Sequence, residues 1–307
     1  MKSQADAARA DFLQRLTQER NLSPHTRLSY QRDLAALASW CDQQSLSEWT
    51  QLDHGHVRAF AARSHAGGLA PASVQRRLSA VRSFYQFLQR EGLAAHNPAA
   101  DVRAPKRPKR LPRTLDADQM ARVLEAPAAS AGQQDERLQI RDMAIMELLY
   151  SSGLRLAELV GLNLDALDLA DRTVRVTGKG NKTRIVPVGK QAVTTLRRWI
   201  RDRAALAKPA ETAVFVSQNG RRLGPRAIQL RLAAIAKTQG VPAKLHPHLF
   251  RHSFATHLLE SSQDLRGVQE LLGHADISTT QVYTHLDFQH LARIYDQAHP
   301  RARRNRR

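Results

Sequence analysis

Six side chains in the second half of the chain are of types that could act on a phosphate ester. Attack on a phosphodiester adds negative charge to a group that is already anionic, and fixed hydrogen-bond donors must stabilise that charge where it develops. An arginine guanidinium binds two phosphate oxygens at once, whereas a Mg²⁺ site would need clustered carboxylates. The candidate residues are Arg155, Lys179, His248, Arg251, His274 and Tyr283.

Each of these residues is a weak signal when taken alone. His248 and Arg251 are three residues apart and therefore share one face of a helix. Arg155 follows a predicted helix break, and Glu158 is expected either to support an active-site arginine or to lie on a packing face. Tyr283 could be an aromatic residue that packs between helices. Only the combination of all six points to one site.

A zinc site is an alternative use of the histidines. The chain has 13 of them, and His248 and His252 have the i, i+4 spacing of a helical metal-binding pair. The three residues between them are Leu, Phe and Arg, so the catalytic glutamate of an HExxH motif is missing. The single cysteine, Cys41, provides neither a metal cluster nor an internal disulfide. We therefore predict no metal and no cofactor.

The charge of the chain indicates a polyanionic partner. Lys and Arg number 47 against 28 Asp and Glu, which gives a net charge of +19. Residues 96–113 and 301–307 together hold 11 basic side chains and one acidic one, about half of the excess. Nucleic acid is the most common partner of such a chain. No apolar run reaches the roughly 18 residues that span a bilayer, so we expect a cytoplasmic protein without membrane contact.

The first domain, residues 1–95, is predicted to be a bundle of four short helices. Pro24 begins the second helix, Asp53 caps the third, Ser73 opens the fourth and Gly92 ends it. Helical spacing predicts that the apolar residues of the second helix face inward. These are Leu28, Leu34, Leu37 and Trp40. The polar faces are expected to carry Arg27, Arg76, Arg77 and Arg82.

Residues 96–113 are predicted to be a linker. Four prolines disfavour both helix and sheet, which leaves an extended, exposed strip rich in Lys and Arg. Such a strip can lie along a phosphate backbone, although it could equally be a solubilising spacer. The candidate DNA-binding residues of the bundle and the linker are Arg27, Arg76, Arg77, Lys106, Arg107, Lys109 and Arg110.

The second domain, residues 114–300, is predicted to be mainly helical with one small antiparallel sheet, and a basic tail follows it at residues 301–307. Leu167–Gly189 alternates with a period of two on both sides of a glycine-containing turn, which is typical of such a sheet. The tip of that turn would carry Lys179. Helices are expected to return at Lys190.

The order and spacing of the six residues resemble the tyrosine recombinase, or phage integrase, family. Its motif is Arg, Lys, His-x-x-Arg, His and Tyr, and all six positions match in this chain. The segments that carry the match are SSGLRLAEL, TGKGNKTR, HPHLFRHSFATHLL and LLGHADISTTQVYTHL. The resemblance implies that the helical first domain is a core-binding, SAM-like domain, that the second is the catalytic domain, and that the two form a clamp on double-stranded DNA.

The resemblance also implies a role for each residue. Tyr283 would be the nucleophile, whose phenol, with an ordinary pKa near 10, needs its proton removed or its oxyanion stabilised. His274 would orient the phosphate or assist that transfer. Lys179, and not Lys182, would protonate the departing 5′ oxygen. The product would be a 3′-phosphotyrosyl link and a free 5′ hydroxyl, formed without ATP or metal.

Two compact domains without an additional arm-binding module resemble the Xer type of this family. The ending LDFQHLARIYDQAHPRARRNRR resembles the branch that works with XerD-type recombinases. The resemblance then implies a dif-like DNA site, a tetramer with two subunits of each kind, and activation by an FtsK-type translocase. It further implies that a helix around Leu291–Tyr295 docks into a neighbouring protomer, although packing within the same chain is the alternative.

Three other functions stay open on the sequence. Another tyrosine recombinase, XerD-like or from a mobile element, would use the same chemistry at another site. A type IB topoisomerase would use similar chemistry as a monomer and relax supercoils without synapsis. A DNA-binding or architectural protein with a degenerate catalytic domain would bind but not cleave.

Overall fold

The structure is a computed structural model, and it describes residues 3–18, 24–106, 114–125, 135–178, 182–241 and 245–262. The chain forms two compact units, residues 1–111 and 112–307. No helix in these described ranges is both long enough and apolar enough to cross a membrane.

The first unit is a bundle of four helices, as predicted. They are α1 (Ser3–Gln18), α2 (Pro24–Gln43), α3 (His54–Ala66) and α4 (Pro71–Arg90). Asp53 caps α3, since its side chain accepts a hydrogen bond of 2.7 Å from the backbone NH of His56. The fourth helix begins at Pro71 and not at Ser73, because proline fits the first helical turn.

The core of this unit lies between α1, α2 and α4, with Leu34, Leu37 and Phe84 fully buried. The prediction that Leu28 faces inward is wrong, because its side chain is 50% exposed. Leu28 lies nine residues before Leu37, and at 100° a residue this places it on the opposite side of α2. Periodicity identified the inner face correctly but included one residue too many.

The start of the predicted linker is packed against the bundle. Ala99 and Val102 are buried in its core. Arg82 of α4 donates hydrogen bonds of 2.9 Å to the carbonyl of Ala99 and 2.5 Å to that of Val102. The expectations of an exposed strip from residue 96, and of Arg82 on a polar face, are therefore wrong here. A guanidinium can hold a proline-containing segment that has few backbone bonds of its own.

The second unit contains six helices and a small sheet within the described residues, as predicted. The helices are α5 (Ala117–Glu125), α6 (Glu136–Ser152), α7 (Leu156–Gly161), α8 (Lys190–Ala204), α9 (Pro225–Thr238) and α10 (Pro247–Ser262). The antiparallel sheet has the order β1 (Leu167–Asp168), β2 (Thr173–Thr177), β3 (Thr183–Pro187).

Helix α6 lies at the centre of this unit, and 12 of its 17 residues are buried. Its last residue, Ser152, donates a hydrogen bond of 2.8 Å to the carbonyl of Pro187 at the end of β3. The expectation that the chain is helical from Lys190 onward is wrong between α8 and α9. There Ala213–Val216 form a buried, non-helical segment. The indole NH of Trp199 in α8 donates a hydrogen bond of 2.8 Å to the carbonyl of Val214 and so holds this segment against α8.

Candidate active site

A tight turn after the buried helix α6 positions the first of the predicted catalytic residues. Gly153 follows α6 with φ 56°, a left-handed conformation that favours glycine. Leu154 is then buried, and Arg155 is the N-cap of α7. The core therefore fixes the backbone of Arg155, while its side chain is 41% exposed.

Glu158 holds Arg155 from within α7. Its carboxylate, whose side chain is 2% exposed, accepts the backbone NH of Arg155 at 2.9 Å and the Nη1 of the same residue at 3.0 Å. Arg184 of β3 donates to both oxygens of the same carboxylate, at 2.7 Å to Oε1 and 3.1 Å to Oε2. One buried acid thus joins an arginine of the predicted site to an arginine of the sheet.

The charge on Glu158 is stabilised despite its burial. Burial would raise the pKa of this carboxyl, but the hydrogen bonds from Arg184 and from the backbone NH of Arg155 outweigh it and lower the pKa below its usual 4.5. At neutral pH the group is therefore an ionised acceptor. A charge-assisted bond of this kind orients a guanidinium more strongly than a neutral one would.

Arg251 approaches the same turn from α10. Its Nη1 donates a hydrogen bond of 2.6 Å to the carbonyl of Gly153, two residues before Arg155. Burial, together with the charges of Arg155 and Arg184, lowers the pKa of Arg251 to about 10. The group therefore stays charged at neutral pH. The structure brings Arg155 and Arg251 together around one turn.

His248 lies one helical turn before Arg251, and its side chain is exposed. The neighbouring His246 caps α10, because its Nδ1 accepts a hydrogen bond of 3.1 Å from the backbone NH of Leu249. Burial and the nearby charges of His248 and His252 lower the pKa of His246. Among the described residues, no group of three or more His, Cys, Asp or Glu could hold a metal ion.

The turn between β2 and β3 leaves the sheet at Gly178, next to Arg184 and Glu158. The backbone NH of Gly178 donates to the carbonyl of Lys182 at 2.8 Å, which closes the base of the turn. A Cβ atom at Gly178 would lie 3.6 Å from Arg184 and 3.6 Å from the carboxylate of Glu158. The residue after Gly178 is Lys179, which lies outside the described residues, as do His274 and Tyr283.

The candidate DNA-binding residues of the first unit differ in their surroundings. Arg27 and Lys106 are exposed. Arg76 and Arg77 both pair with the buried Asp33, at 2.5 and 3.4 Å. The other three candidates, Arg107, Lys109 and Arg110, lie outside the described residues.

Arg77 is held inside the bundle by further contacts. Its Nη1 donates to the hydroxyl of Ser64 at 2.8 Å, and its guanidinium lies 5.3 Å from the ring centre of Phe60. Only 15% of the side chain is exposed, against 42% for Arg76. Of this pair, Arg76 is therefore the better placed to reach a ligand.

Sequence reasoning missed Arg184. The signal was the two-residue period of β3, where Arg184 has the same parity as the buried Val186 and pairs across the sheet with the buried Val176. An arginine on the inner face of a strand needs an acidic partner nearby. Glu158, which the sequence already suggested as a support for an arginine, is that partner.

Comparison with known proteins identifies the family of both domains. Residues 113–290 match the family described as "Phage integrase family", and residues 10–92 match "Phage integrase, N-terminal SAM-like domain". Tyrosine recombinase XerC of Pseudomonas syringae pv. tomato is 56% identical over 95% of this chain and 96% of its own length. Tyrosine recombinase XerC of Alcanivorax borkumensis is 55% identical over 96% of this chain and 94% of its own.

Solved structures share the fold at lower identity. The Tn1549 transposon integrase, in complex with transposon right end DNA, has a TM-score of 0.70 at 19% identity and covers 91% of this chain and 96% of its own. XerH site-specific recombinase, bound to a palindromic difH substrate, has a TM-score of 0.69 at 23% identity, covering 89% and 80%. Together with the matched domains and the two converging arginines, these findings show that the chain belongs to the phage integrase family of tyrosine recombinases.

Proposed function

We propose that this chain is a site-specific recombinase of the XerC kind, which cuts and rejoins double-stranded DNA through a phosphotyrosine intermediate. The observation that carries the proposal is the convergence of Arg155 and Arg251 on the turn at Gly153. Two fixed guanidinium groups at one turn suit a phosphate diester. The identity of 55–56% to XerC recombinases, over 95–96% of this chain, supports the same function.

In the proposed reaction, Arg155 and Arg251 bind the non-bridging oxygens of the scissile phosphate, and His248 adds a hydrogen bond. The hydroxyl oxygen of Tyr283 attacks the phosphorus, and the bond to the 5′ oxygen of the next nucleotide breaks. Lys179 gives that oxygen a proton, while His274 orients the phosphate or assists removal of the phenolic proton. The ester bond is kept in the 3′-phosphotyrosyl link, so rejoining needs no ATP.

The proposed substrate is a dif-like site, and the proposed partner is a XerD-type recombinase. Two subunits of each kind would form the synaptic tetramer, with an FtsK-type translocase as activator during resolution of chromosome dimers at cell division. A substrate of this kind would place the reaction in the cytoplasm. The excess of basic residues, including the exposed Arg27 and Lys106, supports binding along the DNA backbone.

A nicked suicide duplex with a dif-like site tests the chemistry. The duplex is incubated in EDTA with wild type, with Tyr283→Phe, and with Tyr30→Phe as the matched control, with and without a XerD-type partner. Tyr30 stacks on Phe12 in the first unit. We expect a protein–DNA adduct that survives denaturant in wild type and Tyr30→Phe only. Tight binding without any adduct, even with the partner, would demote the chain to a DNA-binding protein.

A second substrate tests the general acid. A 5′-bridging phosphorothiolate leaves without a proton, so it should restore cleavage to Lys179→Ala. Lys182→Ala is the matched control, because Lys182 lies in the same turn. Rescue of Lys182→Ala instead, or no rescue of Lys179→Ala, would contradict the assignment of Lys179.

A further inference from the structure

Arg184 lies outside the six-residue motif, yet it makes the shortest hydrogen bond to the carboxylate that holds Arg155. Its guanidinium meets Glu158 as a two-pronged fork, with Nη1 at 2.7 Å from Oε1 and Nη2 at 3.1 Å from Oε2. Its side chain is only 20% exposed. A fork of this kind fixes both the position and the plane of a carboxylate.

The fork decides how Glu158 can engage Arg155. Both carboxylate oxygens accept a bond from Arg184, and the side chain of Arg155 then donates to one of them, Oε1, at 3.0 Å. Without Arg184, the buried carboxylate would be short of compensating charge. Only the backbone NH of Arg155 would then hold Oε2, and the carboxylate could tilt to bind the guanidinium of Arg155 more closely, turning it away from the phosphate.

The fork also ties the sheet to α7. Arg184 is on β3, Glu158 is on α7, and the base of the turn at Gly178 lies against both of them. Two parts of the chain, α7 with its cap Arg155 and the sheet that leads into the predicted turn of Lys179, are therefore held together at one ion pair. A change at this pair acts on the site without touching a bound phosphate.

We propose that Arg184 is a positioning residue for DNA cleavage, which acts through Glu158 to aim the guanidinium of Arg155 at the scissile phosphate. This inference rests on the proposed recombinase function. Arg184 contributes geometry and not merely positive charge. Lysine cannot replace it, because a single ammonium group makes no two-pronged contact.

Four variants test the proposal: Arg184→Ala, Arg184→Lys, Glu158→Gln and the double variant Arg184→Ala with Glu158→Gln. Arg175→Ala is the matched control. It removes the same charge from the neighbouring strand β2, where the side chain is 58% exposed and lies 3.8 Å from Asp165. Single-turnover cleavage of the suicide duplex gives the rate at saturating protein and the protein concentration for half-saturation.

We expect Arg184→Ala to slow saturated cleavage by about 30- to 100-fold, because a small misplacement of a catalytic group costs roughly that much. The half-saturation concentration should stay within about twofold, because the proposal assigns the phosphate contacts to Arg155, Arg251 and His248 and none to Arg184. Arg184→Lys should stay within about threefold of the alanine variant. The double variant should be little slower than Glu158→Gln, since both residues act through one path.

Three results would overturn the proposal. They are full cleavage by Arg184→Ala, rescue by Arg184→Lys, or a double variant whose loss is the product of the single losses. A defect that also appears as lost binding and a lowered melting temperature would show a merely structural role.

A readout that does not need cleavage separates this proposal from the proposed function. In ¹⁵N spectra of arginine side chains, with Arg155 assigned through Arg155→Lys, Arg184→Ala and Glu158→Gln should shift the same Arg155 signals, and Arg175→Ala should not. If wild type forms no DNA adduct but these shifts occur, the recombinase function fails and the positioning role of Arg184 stands. Unchanged Arg155 signals in Arg184→Ala sink the positioning role whatever the DNA assay shows.

Discussion

Each of the two units contains a buried carboxylate between two arginines, but the two arrangements differ. In the first unit, Asp33 of α2 pairs with Arg76 and Arg77, both on α4. In the second, Glu158 of α7 pairs with Arg184 of β3 and with Arg155 of its own helix cap. Both carboxylate side chains are 2% exposed.

The protonation of the two acids shows the difference. Burial raises the pKa of Asp33 above its usual 3.8, and the charges of Arg76 and Arg77 only partly oppose this. Burial acts on Glu158 in the same direction, yet hydrogen bonds from Arg184 and from the backbone NH of Arg155 bring its pKa below 4.5. The two-pronged contact of Arg184 and the backbone NH of Arg155 therefore lower the pKa of Glu158 despite its burial, whereas single contacts from Arg76 and Arg77 do not lower that of Asp33.

The same set of residues, one buried carboxylate and two arginines, is therefore suited to two different roles. The pair around Asp33 joins two helices of the bundle, with Arg77 held further by Ser64 and Phe60. The pair around Glu158 joins a helix cap to a sheet and leaves Arg155 41% exposed at the turn where Arg251 also arrives. The first arrangement is suited to stabilising the bundle, and the second is suited to the role we propose for it, which is to orient the side chain of Arg155.

Removal of one arginine from each region should separate the two uses most strongly. We expect Arg155→Ala to lower the cleavage rate by about 10²- to 10³-fold, because a donor to the developing phosphate charge is lost. Arg76→Ala should leave the rate at saturation nearly unchanged and weaken DNA binding by only a few-fold. Single-turnover cleavage over a series of protein concentrations measures both. Equal rate losses would show that the two regions do not differ in function.

Removal of the acid from the first unit should have an intermediate effect, on stability. Asp33→Ala leaves Arg77 poorly exposed and without its carboxylate, which we expect to cost about 2 to 3 kcal/mol after allowance for the exposure of Arg76. Urea unfolding followed by the tryptophan fluorescence of Trp40 and Trp49 would report this unit, with Trp199→Phe as the background. Asp42→Ala, on an exposed residue of α2, is the control. A loss of unfolding free energy no larger than that of the control would contradict a stabilising role for Asp33.

The smallest effect is the opposite shift of the two carboxyl pKa values. The folded protein favours the protonated form of Asp33, because the pKa of this carboxyl is raised. Its contribution to the free energy of unfolding should therefore be lost as the pH rises through the pKa that Asp33 has in the folded protein. Glu158, with a lowered pKa, should contribute stability above pH 4.5 and lose it as the pH falls through its folded value. Carboxyl ¹³C titration of labelled protein measures both. Shifts of the same sign would remove the distinction.

The part of the site that the structure describes could be predicted because its residues lie at fixed spacings along the chain. His248 and Arg251 lie three residues apart on α10, and Arg155 follows a helix that ends at a glycine. The capping of α3 by Asp53 was also predictable from local chemistry. These features depend on neighbours within a few residues, which the sequence displays directly.

The rest depends on contacts between distant parts of the chain. The fork from Arg184 to Glu158 spans 26 residues, and the bonds from Arg82 to the predicted linker span 17 and 20. Neither local propensity nor periodicity reports which acid an inward arginine will meet. The exposure of Leu28 shows the reverse error, in which an apolar residue suggests burial that the helix geometry does not provide.

We propose that Glu158, with Arg155 and Arg184, acts on the chemical step, and that Asp33, with Arg76 and Arg77, holds the bundle together. The most direct test is single-turnover cleavage of the suicide duplex by Glu158→Gln and Asp33→Asn, which change each carboxylate without changing its size. We predict that Glu158→Gln lowers the rate at saturating protein by about 10- to 100-fold with little change in half-saturation. We predict that Asp33→Asn leaves that rate intact and raises the half-saturation concentration. A rate lost equally in both variants, or lost only in Asp33→Asn, would contradict the account.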